Sequence, residues 1–436
     1  MTTDSRPRAI PTADGWVGTV GMWSGCALFF LLLFVPVAYT PVKAVLMLVV
    51  LLLVVTESAL EGRVRLHASV LAWTLGLATL SAAFMLRGAL GDAPGALRVG
   101  TVYILWPLVY TVFAAGAARP RVVRALVRTL VVAAIAVPLY VMSYVLWSIG
   151  WLPGWLSLPL AQGQALGVYA GFIELNMYSL SSLLFLVPFI SACLLTWPAE
   201  ETLPVRRRWL WIALLAGMAV VLISGRRALL LCVVVGAPLT LMLRAALPAD
   251  TRRATRRVLA VAIAGAVVIG AAVLLYLQHL GFTPQALLAM FMEGFDFSGD
   301  VSASLRRQQL HALLDGWAAS PLLGAGHGAA APGLVRSPEM PWAYELSYVA
   351  LLFHVGIVGL AAYAAGVLWI VWTGLRLLRT SSSVSPYILP TLVGMLCFLI
   401  GNATNPYLEK FDYLWVIFLP VALVNHGLLH RDDAAS

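Results

Sequence analysis

Charge is what this chain has least of. Only 11% of its 436 residues are Asp, Glu, Lys or Arg, against about 25% in a typical globular domain. That shortage excludes an ordinary soluble fold, whose wet surface needs more ionic side chains. Lysine is nearly missing, with Lys43 and Lys410 standing alone among 28 cations. Cysteine is sparse as well. Cys26, Cys193, Cys232 and Cys397 lie singly inside apolar runs, with no CxxC pair. Neither a disulfide framework nor a metal site is expected from such spacing. Internal repeats and low-complexity tracts are absent too.

What the chain does have is apolar sequence. Hydrophobic residues make up 61% of it and the mean hydropathy is +0.92. Runs long enough to cross a bilayer as helices recur at 18–39, 42–60, 68–86, 99–117, 127–148, 177–197, 208–223, 228–247, 258–278, 344–373, 387–403 and 412–429. The expected architecture is one all-α polytopic membrane domain over 1–436 with about 12 spans. The first run is too long for a signal peptide, is interrupted by Pro36, and leads straight into a second span.

The net charge of +9 does not by itself call for nucleic acid, because loop Arg and Lys set membrane topology. With a cytoplasmic N-terminus, 19 of the 28 cations fall inside and nine outside. This ordering follows the positive-inside rule and puts both termini in the cytoplasm. Two outer segments are substantial: 149–175, rich in Trp, Gly and Pro, and the long loop 279–343. Within the latter, 303–320 places Leu305, Leu310, Leu313, Leu314 and Trp317 at helical spacing, which predicts an amphipathic interfacial helix. The Pro- and Gly-rich stretch 321–338 reads as a loop.

The nine outside cations run against the topological bias and are the candidate chemistry. Arg226 and Arg227 share a short turn in LISGRRALLL. Either they snorkel to headgroup phosphates, or they form a bidentate site for a phosphate-bearing lipid. Arg306 and Arg307 open the amphipathic helix and carry the same two readings. Two Arg pairs on separate elements could clamp one diphosphate, with Arg98 as a helper and Arg87 a weaker candidate. Arg336 and Lys410 read as solvated, and Lys43 carries little information.

Acids within apolar runs are functional candidates by default, since each is costly unless paired. Glu174 and Asn176 fall at the outer end of span six, and Glu345 at the outer start of span ten. Glu345 is either a structural ion-pair partner of an arginine or a general base beside a cationic clamp. Glu57 is expected to pair with Arg63 or Arg65. His327, in a glycine-rich loop, could approach a substrate, but one His is no metal site. His311 and His279 read as surface residues, and His354 as a helix-to-helix hydrogen-bonding group. Trp151, Trp155 and Tyr169 suit either an interfacial belt or stacking on sugars.

Three stretches, in this order, carry a family resemblance: Glu174 to Tyr178, SGRRA at 224–228, and the run from Arg306 through Trp317 and PLLGAG at 321–326 into SYVALLFHVGIVGL. The chain resembles the bacterial O-antigen polymerase and O-antigen ligase superfamily, polytopic glycosyltransferases acting on lipid-linked glycans. The likeness covers the second half of the chain and hardly touches the first five spans. Ligases usually carry a His-Asn pair at the outer start of the span that follows the large loop. Aligned on Gly356, Glu345 takes the His position and Leu346 the Asn position, which looks more like the polymerase branch.

The resemblance implies a GT-C-like fold in the bacterial inner membrane, with a periplasmic site and no cofactor or metal. The donor would be an undecaprenyl-diphosphate-linked glycan and the acceptor another glycan, with a chain-length regulator protein as a further partner. Catalysis would fall to Glu345, Arg227 and Arg306. Substrate binding would fall to Arg98, Glu174, Asn176, Arg226, Arg307, His327 and Tyr348. Polymerisation of repeat units is the leading expectation. Transfer to lipid A–core is the alternative. A lipid-linked glycan flippase comes third, because transport favours midplane charges and repeat-related broken helices.

Overall fold

The computed structural model describes residues 16–157, 165–169, 172–197, 204–245, 301–335, 337–378 and 385–435. Within them the chain is a bundle of α-helices, nine of them long and apolar enough to cross a membrane. By its described residues the chain is a predominantly helical polytopic membrane protein. The first five helices are α1 (Trp16–Phe34), α2 (Thr40–Glu61), α3 (Ala68–Leu90), α4 (Ala96–Gly116) and α5 (Pro120–Ser148). A hairpin of β1 (Ala165–Tyr169) and β2 (Phe172–Asn176) follows, then α6 (Leu183–Thr196), α7 (Arg207–Ile223) and α8 (Arg227–Ala245). The last four are α9 (Val301–Ala318), α10 (Ser347–Leu377), α11 (Ser385–Asn402) and α12 (Trp415–Ala435). The expected span 258–278, His279 and Arg336 lie outside the described residues.

Local sequence sets the helix ends. Proline stands in the first turn of α2 and α5, where its missing N–H is no loss. Gly62, with φ 64°, closes α2 in the left-handed cap that suits glycine. α1 stops at Phe34 and not at 39 as its hydropathy suggests. Val37 and Tyr39 adopt positive φ just beyond Pro36, which turns the chain toward α2.

The core forms around α6. Between Tyr178 and Thr196, 89% of the most apolar window is enclosed by protein, so this span meets other helices on every side. Phe185 stacks near Phe189 and meets Trp415 edge-on at 4.8 Å. By contrast Leu48, Leu52 and Val55 of α2 point outward, where bilayer lipid takes the place of a protein partner.

Two expectations need correction. Glu174 and Asn176, expected at the outer end of span six, lie instead on a strand of a hairpin. Ala165 to Tyr169 pairs antiparallel with Phe172 to Asn176 in the register Ala165↔Asn176 and Tyr169↔Phe172. A hairpin satisfies the backbone here because each strand's N–H and C=O groups find the other strand. Glu57, in turn, pairs with Arg119 and not with Arg63 or Arg65. Arg119 also binds Glu61, which accepts from Arg65 Nε at 2.9 Å. Residues four apart share a helix face, so one arginine at the start of α5 reaches both acids at the end of α2.

Candidate functional site

The described part of the large loop repairs a broken helix. α10 is interrupted at Gly356, whose φ of 63° and ψ of −171° are not helical. Breaking a membrane helix strands backbone groups that hydrocarbon cannot satisfy. Here the PLLGAG segment supplies partners for four of them. Ala325 and Gly326 donate N–H to the carbonyls of Phe353 and His354 at 2.9 and 2.8 Å. In return Ile357 and Val358 donate to the carbonyls of Pro321 and Leu322 at 3.0 and 3.1 Å. Arg87 of α3 pins the same loop, donating from Nε to the Gly324 carbonyl at 2.8 Å and to Ser320 Oγ at 3.0 Å. Arg87 is therefore a loop clamp.

The repaired segment carries the first candidate pair. α9 spans the expected amphipathic stretch and lies against α10, with Gln309 and Leu313 buried and Gly316 against Phe353. Arg306, one turn before Gln309, faces the same way. Its Nε donates to Glu345 Oε2 at 2.8 Å, and the Glu345 N–H donates to Gln309 Oε1 at 3.0 Å. Arg307 and Leu305 are on the exposed side of the helix. Of the two arginines, Arg306 is the one that meets the acid.

The second candidate pair forms at the turn between α7 and α8. The end of β2 lies against this turn: Leu175 donates N–H to the Ser224 carbonyl at 3.2 Å. Arg226 answers with Nε to the Leu175 carbonyl at 3.2 Å and Nη2 to Asn176 Oδ1 at 2.8 Å. Arg227 begins α8 and is exposed. Glu174 lies on β2 opposite Gly167.

Tyr348 and the α11–α12 connection link the two pairs. Tyr348, in the first turn of α10 after Glu345, donates its hydroxyl to the Leu399 carbonyl at 2.5 Å and lies in reach of Asn402. Asn402 Oδ1 accepts from the Leu408 N–H at 3.0 Å. Tyr407, just before Leu408 in the chain, lies close to Arg226. Thus Arg306, Glu345, Tyr348, Tyr407, Arg226 and Asn176 belong to one connected end of the bundle. Arg98 is exposed on α4.

His327 is not open to substrate. It is fully buried, with its ring stacked on Tyr103 at 4.7 Å and edge-on to Phe84 and His354. Ser81 Oγ donates its only proton to the Leu77 carbonyl, so the Tyr363 hydroxyl donates to Ser81 and accepts from His327 Nε2 at 3.2 Å. Nδ1 then carries the lone pair and has no partner among the described residues. Burial, with His354 alongside, pushes the His327 pKa down to about 3. His327 is a neutral packing residue of the loop. The glycines around it explain why: a Cβ on Gly326 would lie 2.4 Å from the Gly88 Cα, so only this spacing lets the loop settle between α3 and α10. His354 bonds the Ala329 carbonyl of the loop at 3.0 Å, not another helix. His311 is exposed, as are Trp151 and Trp155 at 79% each.

Three residues gain importance that sequence alone did not give them. Lys43, read as carrying little information, is wholly enclosed in an ion pair with Asp412 and donates to the Val35 carbonyl at 3.0 Å. Nothing in a lone lysine near a span end distinguishes this from snorkelling. Tyr103 sits in a π-helical turn, Thr101–Leu105, a deviation common at functional sites. Glu409 forms a 3₁₀ turn with Tyr407, half-buried, and burial pushes its carboxyl up to about 7 although Lys410 opposes the shift.

An apolar gap of about 120 Å³ between α1, α2, α4, α5 and α12 contains none of these residues except Glu57 and Arg119 at its edge. Among the described residues no three His, Cys, Asp or Glu side chains are grouped as metal ligands would be. No family model matches this chain, and no curated protein matches it either.

Proposed function

We propose that this protein is a membrane glycosyltransferase that polymerises undecaprenyl-diphosphate-linked repeat units into surface polysaccharide. In this reading the chain crosses the bacterial inner membrane about 12 times with both termini cytoplasmic, and the connected end described above faces the periplasm. The observation that carries the reading is the pair of arginines, Arg226 and Arg306, each positioned by a polar partner at one end of the bundle. A diphosphate leaving group needs such preorganised cations where its charge develops. Guanidinium forks suit phosphate oxygens better than ammonium groups do. Arg227 and Arg307 stand on the exposed side and extend the basic surface toward lipid or glycan. Asn176 and Glu345 aim the arginines. The acceptor hydroxyl displaces the diphosphate in one in-line step, inverting the anomeric centre.

The likeness of SGRRA and PLLGAG to the O-antigen polymerase and ligase superfamily supports the same reading. Glu345 in place of the ligases' histidine favours the polymerase branch. The test is replacement of Arg226 and Arg306 by Ala, and of Glu345 by Gln, in a strain lacking the native gene, with surface glycan resolved as a gel ladder. Loss of long chains while single repeat units still reach the surface is the expected result. Loss of all attachment, with lipid-linked polymer accumulating, would identify a ligase. Trapping of single lipid-linked units on the cytoplasmic face would identify a flippase. Wild-type ladders from all three variants would remove the assignment.

A further inference from the structure

A transferase of this kind needs a base for the acceptor hydroxyl, and the acids at the site end whose side chains are described, which leaves out Glu174, can be taken one at a time. Glu345 already holds Arg306, so taking a proton would break the contact that aims the guanidinium. Asp412 is enclosed with Lys43 and 3% exposed. Asp92, Asp315 and Glu339 are exposed to solvent, where nothing holds them against a bound sugar. Glu409 differs from all of these. It is half-buried, and no hydrogen bond or ion pair engages it among the described residues.

Its position is central. Tyr407, two residues earlier, meets Arg226. Lys410, next in sequence, lies over the Tyr178 ring at 5.8 Å, just past Asn176. Tyr103 is within electrostatic range of both Glu409 and Tyr348, and Tyr348 opens the helix that Glu345 precedes. Glu409 thus lies on the turn whose neighbouring residues reach Arg226 through Tyr407 and Asn402, beside Tyr348, through Leu408.

We infer that Glu409 is the general base of the glycosyl transfer, a role that rests on the transferase reading above. Its carboxylate takes the proton of the acceptor hydroxyl as that oxygen bonds to the anomeric carbon. The bond from the anomeric carbon to the diphosphate oxygen breaks, and undecaprenyl diphosphate departs with the electron pair beside Arg226 and Arg306. The proton held on Glu409 is then lost to water, which restores the base. No oxidant, metal or nucleotide enters this balance. The raised carboxyl suits the role, because a base is most effective when its pKa lies near the working pH.

The experiment measures chain extension by membranes carrying the full-length protein, supplied with a polyprenyl-diphosphate-linked repeat unit, from pH 5.5 to 8.5. The wild-type rate should climb as pH rises through about 7, as Glu409 ionises. Glu409→Gln should lower the rate by roughly 100-fold or more, the usual loss of a general base, and flatten that limb. Glu409→Asp should retain part of the rate with the limb displaced. If Glu409→Gln keeps the wild-type rate and pH limb while Arg226→Ala abolishes extension, the transferase reading stands and Glu409 is not its base. If Glu409→Gln does not accumulate in membranes, Glu409→Asp decides, and an undisplaced limb overturns the inference. Full extension by Arg226→Ala and Arg306→Ala would remove the underlying reading.

Discussion

The amine of Lys43, at the start of α2, is sealed against the carboxylate of Asp412, 369 residues further along the chain. Both ends of the described sequence are tied together at this point. A buried pair of this kind costs much desolvation, yet losing one partner costs more, because the other stays charged and enclosed. Lys43→Met should destabilise the solubilised protein by about 3–5 kcal/mol, read as a fall in its thermal midpoint. The double variant Lys43→Met with Asp412→Leu should recover most of that loss. A double variant as unstable as the single one would show that the pair does not carry the effect.

Gly356 occupies backbone that a side chain can scarcely adopt, and a Cβ there would lie 2.3 Å from the Leu322 carbonyl. Gly356→Ala should therefore cost more than the roughly 1–3 kcal/mol of backbone strain alone. The visible result should be loss of long glycan chains together with easy cleavage of 321–331 by added protease. Wild-type protection would mean that the loop tolerates the change.

Arg87 holds the same loop from the α3 side through two hydrogen bonds. Because its side chain is exposed, Arg87→Ala should remove only about 1 kcal/mol of loop stability. The chain should still accumulate in membranes while the loop becomes several-fold more sensitive to protease. Arg87→Lys, lacking the guanidinium fork, should recover little of the protection.

His327 makes stability depend on acid. Its folded pKa, pushed down to about 3, lies below the ordinary value of about 6.5, so the unfolded chain binds the proton first. Stability from this site is complete above about pH 6.5 and is lost as pH falls from there toward 3. The thermal midpoint should drop between pH 7 and pH 5, and His327→Phe should reduce that drop. An equal drop in the variant would place the acid sensitivity elsewhere.

The sequence exposed the helices well, because lipid allows an apolar run few other structures. It also marked α9, PLLGAG, Arg306, Glu345, Asn176 and the SGRR turn as places to look. What it hid was partnership. Arg306 and Arg307 are equivalent as letters, and only the rotation of α9 about its axis sets Arg306 inward. Glu57 lies close to Arg63 and Arg65 along the chain, but α5 brings Arg119 nearer in space. His327 looked open because glycines flank it. Those glycines instead let the loop sink between helices until the imidazole was sealed. Lys43 and Glu409 could not be read at all, since their meaning depends on Asp412 and on the turn at Tyr407.

The repaired break in α10 also constrains the order of biosynthesis. The nine residues from Ser347 to Val355 are too few for a helix that persists alone. PLLGAG, made earlier, has no sheet or helix of its own to join. Each depends on a partner about 30 residues away in the sequence. Neither can settle until the ribosome has delivered both, so the amphipathic helix, the loop and the outer piece of α10 mature as a single late-folding unit. A chain released before Val358 would leave that unit open, presenting unpaired carbonyls and amides to the quality-control machinery of the membrane.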